Sequence, residues 1–256
     1  MPVGPDLAYL LENATEFSER TEGTFDVTIA PLSQLWGFSS GQPRVPSAEE
    51  IAQHLPFVGY KGLHLENGRA KLDRKGMAIE LGAIAKGYAV DRAVALLKRE
   101  GAYAALVEAG GDLRYFGRKP GNVPWRIAVQ HPRKPDAYIK VDSPYESVAT
   151  SGDYQRCIVV EGIRYHHILD PFTGYPAPGL ASVSVWATTA TEADILATAV
   201  FVMGVDQGMA FVEQRADTEA LLFFEKNGTL TYRASSGLEG RIASMPPGVE
   251  EDTIPK

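Results

Sequence analysis

An α+β fold, with antiparallel sheets and helices packed against them, is what this sequence predicts, on three observations. Apolar strand runs are joined by tight turn pairs, Asn67-Gly68 and Asn227-Gly228 among them. Roughly four helical stripes interrupt those strands instead of alternating regularly with them. No strand is followed by a Gly-x-Gly-x-x-Gly turn, so a dinucleotide-binding doubly wound sheet is unsupported.

Along the chain, Leu7 to Arg20 carries apolar residues at helical spacing, and Gly23 to Ile29 reads as a short strand. Leu32, Leu35, Trp36 and Phe38 predict an aromatic-anchored helical turn, followed by a loop over 39–47. Ser47 with Glu50 three residues on forms a capping box for a helix over 48–55. Residues 63–66 and 70–72 flank Asn67-Gly68 as a hairpin. Gly82 to Gly101 is predicted as a helix whose buried face holds Ala85, Ala89, Ala93 and Leu96. Strands are expected at 105–108, 113–116, 126–130, 147–151, 156–160, 164–169 and 182–187, with a Gly-Pro loop at 117–124. A helix over 191–202 closes at Gly204, a second spans 205–214, and a strand at 220–225 enters the turn at Asn227. With no internal repeat or heptad, residues 1–245 are expected to form one domain and 246–256 a disordered tail.

Composition narrows the function. A 256-residue chain with 45% hydrophobic and 22% charged residues is long enough for a full core. Its formal charge of -7 argues against a general nucleic-acid binder, though a local basic pocket for an anionic small molecule remains compatible. Cys157 is the one cysteine, which excludes an intrachain disulfide and a cysteine-rich metal site. No run of about eighteen apolar residues predicts a membrane span. The first residues lack the pattern of a signal peptide, which fits a cytoplasmic protein and equally the mature form of an exported one.

Five segments carry candidate chemistry. His166-His167-Ile168-Leu169-Asp170-Pro171 puts two of five histidines beside a carboxylate at a strand end. The alternative is a buried histidine pair with Asp170 capping its own turn. Asp194 and Thr198, four apart on a helix, offer hard oxygens on one face, which suits Mg²⁺ or Ca²⁺; Asp194 could equally serve the helix dipole. Lys86 lies in a glycine-opened helix start that can hold an anion, or else faces solvent beside close-packed glycines. Gly110-Gly111-Asp112 and Thr150-Ser151-Gly152-Asp153-Tyr154 set glycines beside acids and hydroxyls at element ends. Together they point to one pocket for an extended polar ligand.

These segments carry a family resemblance. Gly23 to Thr28, Pro31-Leu32, Trp36 to Phe38, Leu81 to Asp91, Gly110 to Asp112, Ser151 to Tyr154, His166 to Pro176 and Ala193 to Gly204 resemble, in order, the blocks of the FAD:protein FMN transferases, the ApbE family. The resemblance implies the family's fold and transfer of the FMN moiety of FAD to a threonine hydroxyl of an acceptor protein, with release of AMP. It implies a redox-driven ion pump subunit or a respiratory flavoprotein as the kind of acceptor. It also implies Mg²⁺ at Asp194, Thr198 and the backbone carbonyl of Ala83. His167 would be the base, with Asp170 as its orienting partner. FAD would contact Lys86, Glu108, Gly111, Asp112, Ser151, Gly152, Asp153, Tyr154 and His167. FAD binding without transfer, or Mg²⁺-dependent hydrolysis of FAD to FMN and AMP, would use the same site. Relatives usually carry several tens of residues before the first block, often after an export or lipid-attachment signal. The expected fold therefore lacks the usual N-terminal segment.

Overall fold

The computed structural model describes residues 1–38, 40–123 and 125–252. Helix α1 (Pro5–Arg20) opens with proline in its first turn, where a missing N–H costs nothing, and buries Leu10, Leu11, Ala14 and Phe17. The strand expected over 23–29 does not form. Asp26 claims the local donors instead: Oδ1 accepts from Thr28 N at 2.7 Å and Thr28 Oγ1 at 2.6 Å, and Oδ2 accepts from Tyr60 N at 2.7 Å. A short acid that bonds the backbone two residues on outcompetes the strand tendency of Val27, Thr28 and Ile29. Helix α2 (Ala30–Trp36) and helix α3 (Ala48–His54) follow, and the Ser47/Glu50 capping box is present. Strands β1 (Leu63–Glu66) and β2 (Arg69–Leu72) pair across Asn67 and Gly68, both at positive φ, as a two-residue hairpin turn requires. The loops expected at 39–47 and 117–124 each include one residue, 39 and 124, outside the described set.

Helix α4 (Ala85–Arg99) starts three residues later than expected and buries Gly87, Val90 and Val94, not the alanine stripe. Ala89 is exposed and Leu96 is 47% exposed. The reason is packing at close range. A Cβ on Gly87 would lie 2.2 Å from the carbonyl oxygen of Ala190, so the glycine lets α4 touch the start of helix α5 (Ala190–Glu213) backbone to backbone. One turn on, Asp91 accepts from Ala190 N at 3.0 Å, Thr191 N at 2.9 Å and Thr191 Oγ1 at 2.6 Å, while Arg114 donates to it at 2.6 Å. The carboxylate of one helix thus satisfies the orphan N–H groups of another.

Between the two helices run strands β3 (Ala105–Ala109), β4 (Asp112–Phe116), β5 (Ile127–His131), β6 (Lys134–Val141), β7 (Ser147–Gly152), β8 (Cys157–Val160), β9 (Ile163–His166) and β10 (Ser182–Ala187). After α5 come β11 (Glu219–Lys226), β12 (Thr229–Ala234), β13 (Ile242–Ser244) and β14 (Glu250–Glu251). Seven of these form one sheet in the order β14-β12-β11-β10-β7-β4-β3, antiparallel except for the β12–β14 pair. A three-stranded sheet, β13-β6-β5, covers one face, and β8 and β9 form a separate hairpin. Because side chains alternate along a strand, the central strands feed two cores. Ala149, Val183, Val185 and Leu222 pack toward Leu196, Val200 and Phe201 of α5; Val148, Trp186, Leu221 and Phe223 pack toward Ile127, Val129 and Ile139.

Helix α5 has a mean hydropathy of 1.7 over its most apolar window and is long enough to cross a membrane. Its apolarity matches its burial against the sheet and α4, and Gly204 (φ 78°, ψ -172°) breaks it where the two-helix reading placed the boundary. Of the tail expected from residue 246, Glu250 and Glu251 instead pair with β12, and Asp252 is held by Lys226 at 2.7 Å and by Arg233. Residues 253–256 lie outside the described set.

Gly87→Ala is expected to cost about 1–3 kcal/mol of stability, the usual penalty for overpacking a close contact. The exposed Ala89→Gln on the same helix should stay within about 0.5 kcal/mol. Urea unfolding of both variants checks the pair, and equal midpoints would contradict the close docking of α4 on α5.

Candidate active site

A cavity of about 540 Å³ opens where the 24–29 turns, the start of α4, the end of β7, residues 167–169 and α5 meet. Its size falls in the range of about 300–1,000 Å³ common to small-molecule sites. The α4–α5 contact sets its charged wall. Lys86 Nζ lies 2.7 Å from Asp194 Oδ1 and 2.7 Å from Asp112 Oδ2, and also donates to Gly82 O at 3.3 Å. Asp194 Oδ2 accepts from Gly87 N at 3.1 Å. Asp112 Oδ2 is buried, and the Lys86 ammonium is its charge partner. Burial acts to lower the Lys86 pKa, but Asp194 and Asp112 beside it raise it above the ordinary lysine value. Burial, then repulsion from Asp194, pushes Asp112 up to about 7 against the pull of Lys86.

The residues expected to hold a metal converge here. Thr198 stands one turn after Asp194 on α5, with its Oγ1 3.4 Å from Ser151 Oγ, and Ala83 lines the same cavity. Gly87 N would bond the Ala83 carbonyl in a continuous helix; because it goes to Asp194, that carbonyl is without a backbone partner among the described residues. Those residues contain no cluster of three or more His, Cys, Asp or Glu able to enclose an ion. One acid, one hydroxyl and one freed carbonyl, beside a second buried carboxylate, still suit Mg²⁺. That ion favours oxygen and commonly completes its shell with water and substrate phosphate. The helix itself is capped by Thr189, whose hydroxyl accepts from Glu192 N at 3.1 Å.

His167 lines the cavity with Lys86, and His166 does not. His166 is buried, its Nε2 donating to Ala177 O at 3.1 Å and its ring edge-on to Phe201. His167 donates its backbone N–H to Arg156 O at 3.0 Å, sets its ring edge-on to Phe38 and leaves Nδ1 without a partner among the described residues. Burial, followed by the charge of Arg156, drives its pKa down to about 4, so the ring is neutral near pH 7.

Asp170 is not beside it. Its Oδ1 accepts from Phe172 N at 2.8 Å and its Oδ2 from Thr173 Oγ1 at 3.0 Å, so the carboxylate caps its own turn. That turn is clamped from behind. Trp36 Nε1 donates to Gly174 O at 2.8 Å, and a Cβ at Gly174 (φ 76°) would meet Ile51 at 2.6 Å.

The other expected contacts divide. Ser151 and Tyr154 line the cavity. A Cβ at Gly152 would sit 2.5 Å from the Tyr154 ring, so the glycine lets that ring fold over the strand end. Asp153 turns away and takes a bidentate pair from Arg133 at 2.7 and 2.8 Å, tying β7 to the β5–β6 hairpin. Glu108 and Gly111 lie outside the cavity lining. Glu108 Oε1 accepts from Gly111 N at 2.6 Å and holds the turn that aims Asp112 at Lys86. Thr24, Asp26, Glu80, Gln130 and Arg156 also line the cavity, and the sequence reading assigned none of them. Only Asp26 had a signal, an acid two residues before Thr28, which favours a turn over a strand.

Comparisons with known proteins bear on the family and the fold. The profile of the ApbE family matches residues 1–222. An FAD:protein FMN transferase of Treponema pallidum (strain Nichols) is 34% identical over 260 residues, spanning 94% of this chain and 70% of that protein. One from Vibrio cholerae (serotype O1, strain O395) is 34% identical over 232 residues, spanning 89% and 70%. The crystal structure of the ApbE protein of Thermotoga maritima superposes with a TM-score of 0.85 at 41% identity, covering 95% of this chain and 80% of that one. The flavin transferase ApbE of Vibrio cholerae gives 0.84 at 33% identity, covering 94% and 78%. With most of its length matched in sequence and in fold, the chain belongs to the ApbE family.

Proposed function

We propose that this chain is an FAD:protein FMN transferase that places the FMN moiety of FAD on a threonine hydroxyl of an acceptor protein and releases AMP. The observation that carries the reading is one cavity lined by Lys86, Asp194 and the neutral ring of His167, with Asp112 behind it 2.7 Å from the Lys86 ammonium. The names of the relatives supply the substrate; the cavity supplies the means. The acceptor would be a protein such as a redox-driven ion pump subunit or a respiratory flavoprotein.

Asp194, Thr198 and the Ala83 carbonyl would hold Mg²⁺, which would neutralise and orient the pyrophosphate oxygens. Lys86 bridges Asp112 and Asp194, 2.7 Å from each. Ser151 and Tyr154 line the flavin's path. The threonine Oγ forms a bond to the FMN phosphorus as the bond to the bridging oxygen breaks, leaving the electron pair on the AMP phosphate. The threonine proton passes to His167. A pKa near 4 makes a weak base, and phosphate charge brought beside it raises its basicity.

Incubation with FAD, Mg²⁺ and an acceptor should give a fluorescent acceptor band in a denaturing gel and one AMP per flavin transferred. AMP release without acceptor would identify hydrolysis, and bound but intact FAD would identify binding alone.

His167→Ala should slow transfer by roughly 10²-fold or more with FAD still bound, the usual scale for a lost general base. His166→Ala should act through stability. A larger rate loss for His166→Ala, at saturating FAD and Mg²⁺, would reverse the roles. Followed by NMR, the His167 imidazole should titrate near 4, below the ordinary value of about 6.5. A midpoint at the ordinary value would place the ring in water. Asp194→Ala should abolish most Mg²⁺ affinity measured by calorimetry in the presence of FAD, with a milder loss for Thr198→Val. Unchanged binding in Asp194→Ala would remove the metal from α5.

A further inference from the structure

The cavity lacks the positive charge that a pyrophosphate needs. Among the charged side chains lining it, Asp26, Glu80 and Asp194 are acidic, against Lys86 and Arg156. Lys86 is already spent on Asp194 and Asp112, each 2.7 Å from its Nζ. Arg156 is not spent. Among the described residues, Arg69 and Arg156 are the arginines whose guanidinium makes neither a hydrogen bond nor an ion pair, and of the two only Arg156 lines the cavity.

Its position relative to His167 is set by backbone pairing. The β8–β9 register runs Val160 with Ile163 through Cys157 with His166, and one step further puts Arg156 opposite His167, where His167 N donates to Arg156 O at 3.0 Å. Directly opposed residues of an antiparallel pair share a face, with Cβ atoms about 4.5–5.5 Å apart. The long guanidinium arm therefore reaches the space beside the imidazole. On the transferase reading His167 takes the threonine proton, so a group beside that ring lies nearer the phosphorus under attack than the departing phosphate. Guanidinium also matches phosphate geometry with two parallel donors.

We propose that Arg156 is a catalytic residue of this chain that grips the non-bridging oxygens of the FMN phosphate during transfer. The inference rests on the transferase reading above. As the threonine Oγ–phosphorus bond forms and the bond to the AMP oxygen breaks, negative charge spreads over those equatorial oxygens, where a fixed cation lowers the barrier. No proton moves to or from Arg156, and the threonine proton still goes to His167.

Riboflavin, which lacks the phosphate, and FMN, which carries it, separate this role from a structural one. Flavin-fluorescence titration should show FMN binding weakened about ten- to a hundredfold in Arg156→Ala, the worth of a charge-assisted hydrogen bond, with riboflavin binding unchanged. Arg156→Lys should recover part of the FMN affinity. Transfer at saturating FAD should fall by roughly 10²-fold or more in Arg156→Ala. Arg69→Ala, the other unpaired arginine, should leave all three quantities unchanged. Equal losses for FMN and riboflavin would make Arg156 part of the flavin wall and overturn the proposal, as would FMN affinity and rate both matching the unsubstituted chain. If the unsubstituted chain binds FMN but never labels an acceptor, the transferase reading fails. The riboflavin comparison then still decides whether Arg156 holds a phosphate.

Discussion

The contact between α4 and the start of α5 is the constraint on which the site depends. Gly87 brings the two backbones together where a Cβ would stand 2.2 Å from the Ala190 carbonyl, and Asp91 ties down the N–H groups of Ala190 and Thr191. Asp194 follows Thr191 by about one helical turn, and Lys86 precedes Gly87 by one residue. Fixing the two helices therefore fixes an acid against a base with no further device. The freed Ala83 carbonyl has the same origin, since Gly87 N has been diverted to Asp194. A packing requirement and a chemical one are met by the same few residues.

Energetically the charged wall is held closed only in part. Two buried carboxylates share one lysine, and desolvation outweighs that pairing at Asp112, which is why its proton is retained up to about pH 7. Such a cluster is a poor source of stability, because replacing buried charges by apolar groups is often neutral or favourable. What it offers is a polarised surface ready to exchange partners. The cost is carried by the rest of the fold, where β10 is buried along its whole length between two cores.

Much of the fold was legible in the sequence where local chemistry and tertiary packing agree. The Ser47/Glu50 box, the Asn67-Gly68 and Asn227-Gly228 turns and the Gly204 break all depend on a few adjacent residues, and all are in the structure. Reading failed where a distant partner decides. The alanine stripe of α4 looked apolar enough to be the buried face, but Gly87, which has no side chain to register in any pattern, marks the true one. Strand β6 escaped notice because Lys134, Pro135 and Asp136 open it with turn-like chemistry. In the site, the family blocks brought Lys86, Asp112, Ser151, Tyr154, His167, Asp194 and Thr198 together, whereas no local signal separated Asp153, which is spent on Arg133, from its cavity-facing neighbours. Asp170 satisfied the turn reading of its own sequence rather than a partnership with His167.

Among the described residues, the β8–β9 hairpin pairs with no other strand. His167 and Arg156 flank its base, while Lys86 and Asp194 belong to the helix pair, so the cavity is walled by two separately built parts. The backbone bond from His167 N to Arg156 O holds the two main chains in register, and the edge-on packing of His166 against Phe201 anchors the same end of the hairpin to α5. Two neighbouring histidines thus divide the labour: one ring moors the hairpin to the helix, and the other, turned the opposite way by strand alternation, is left free for the cavity.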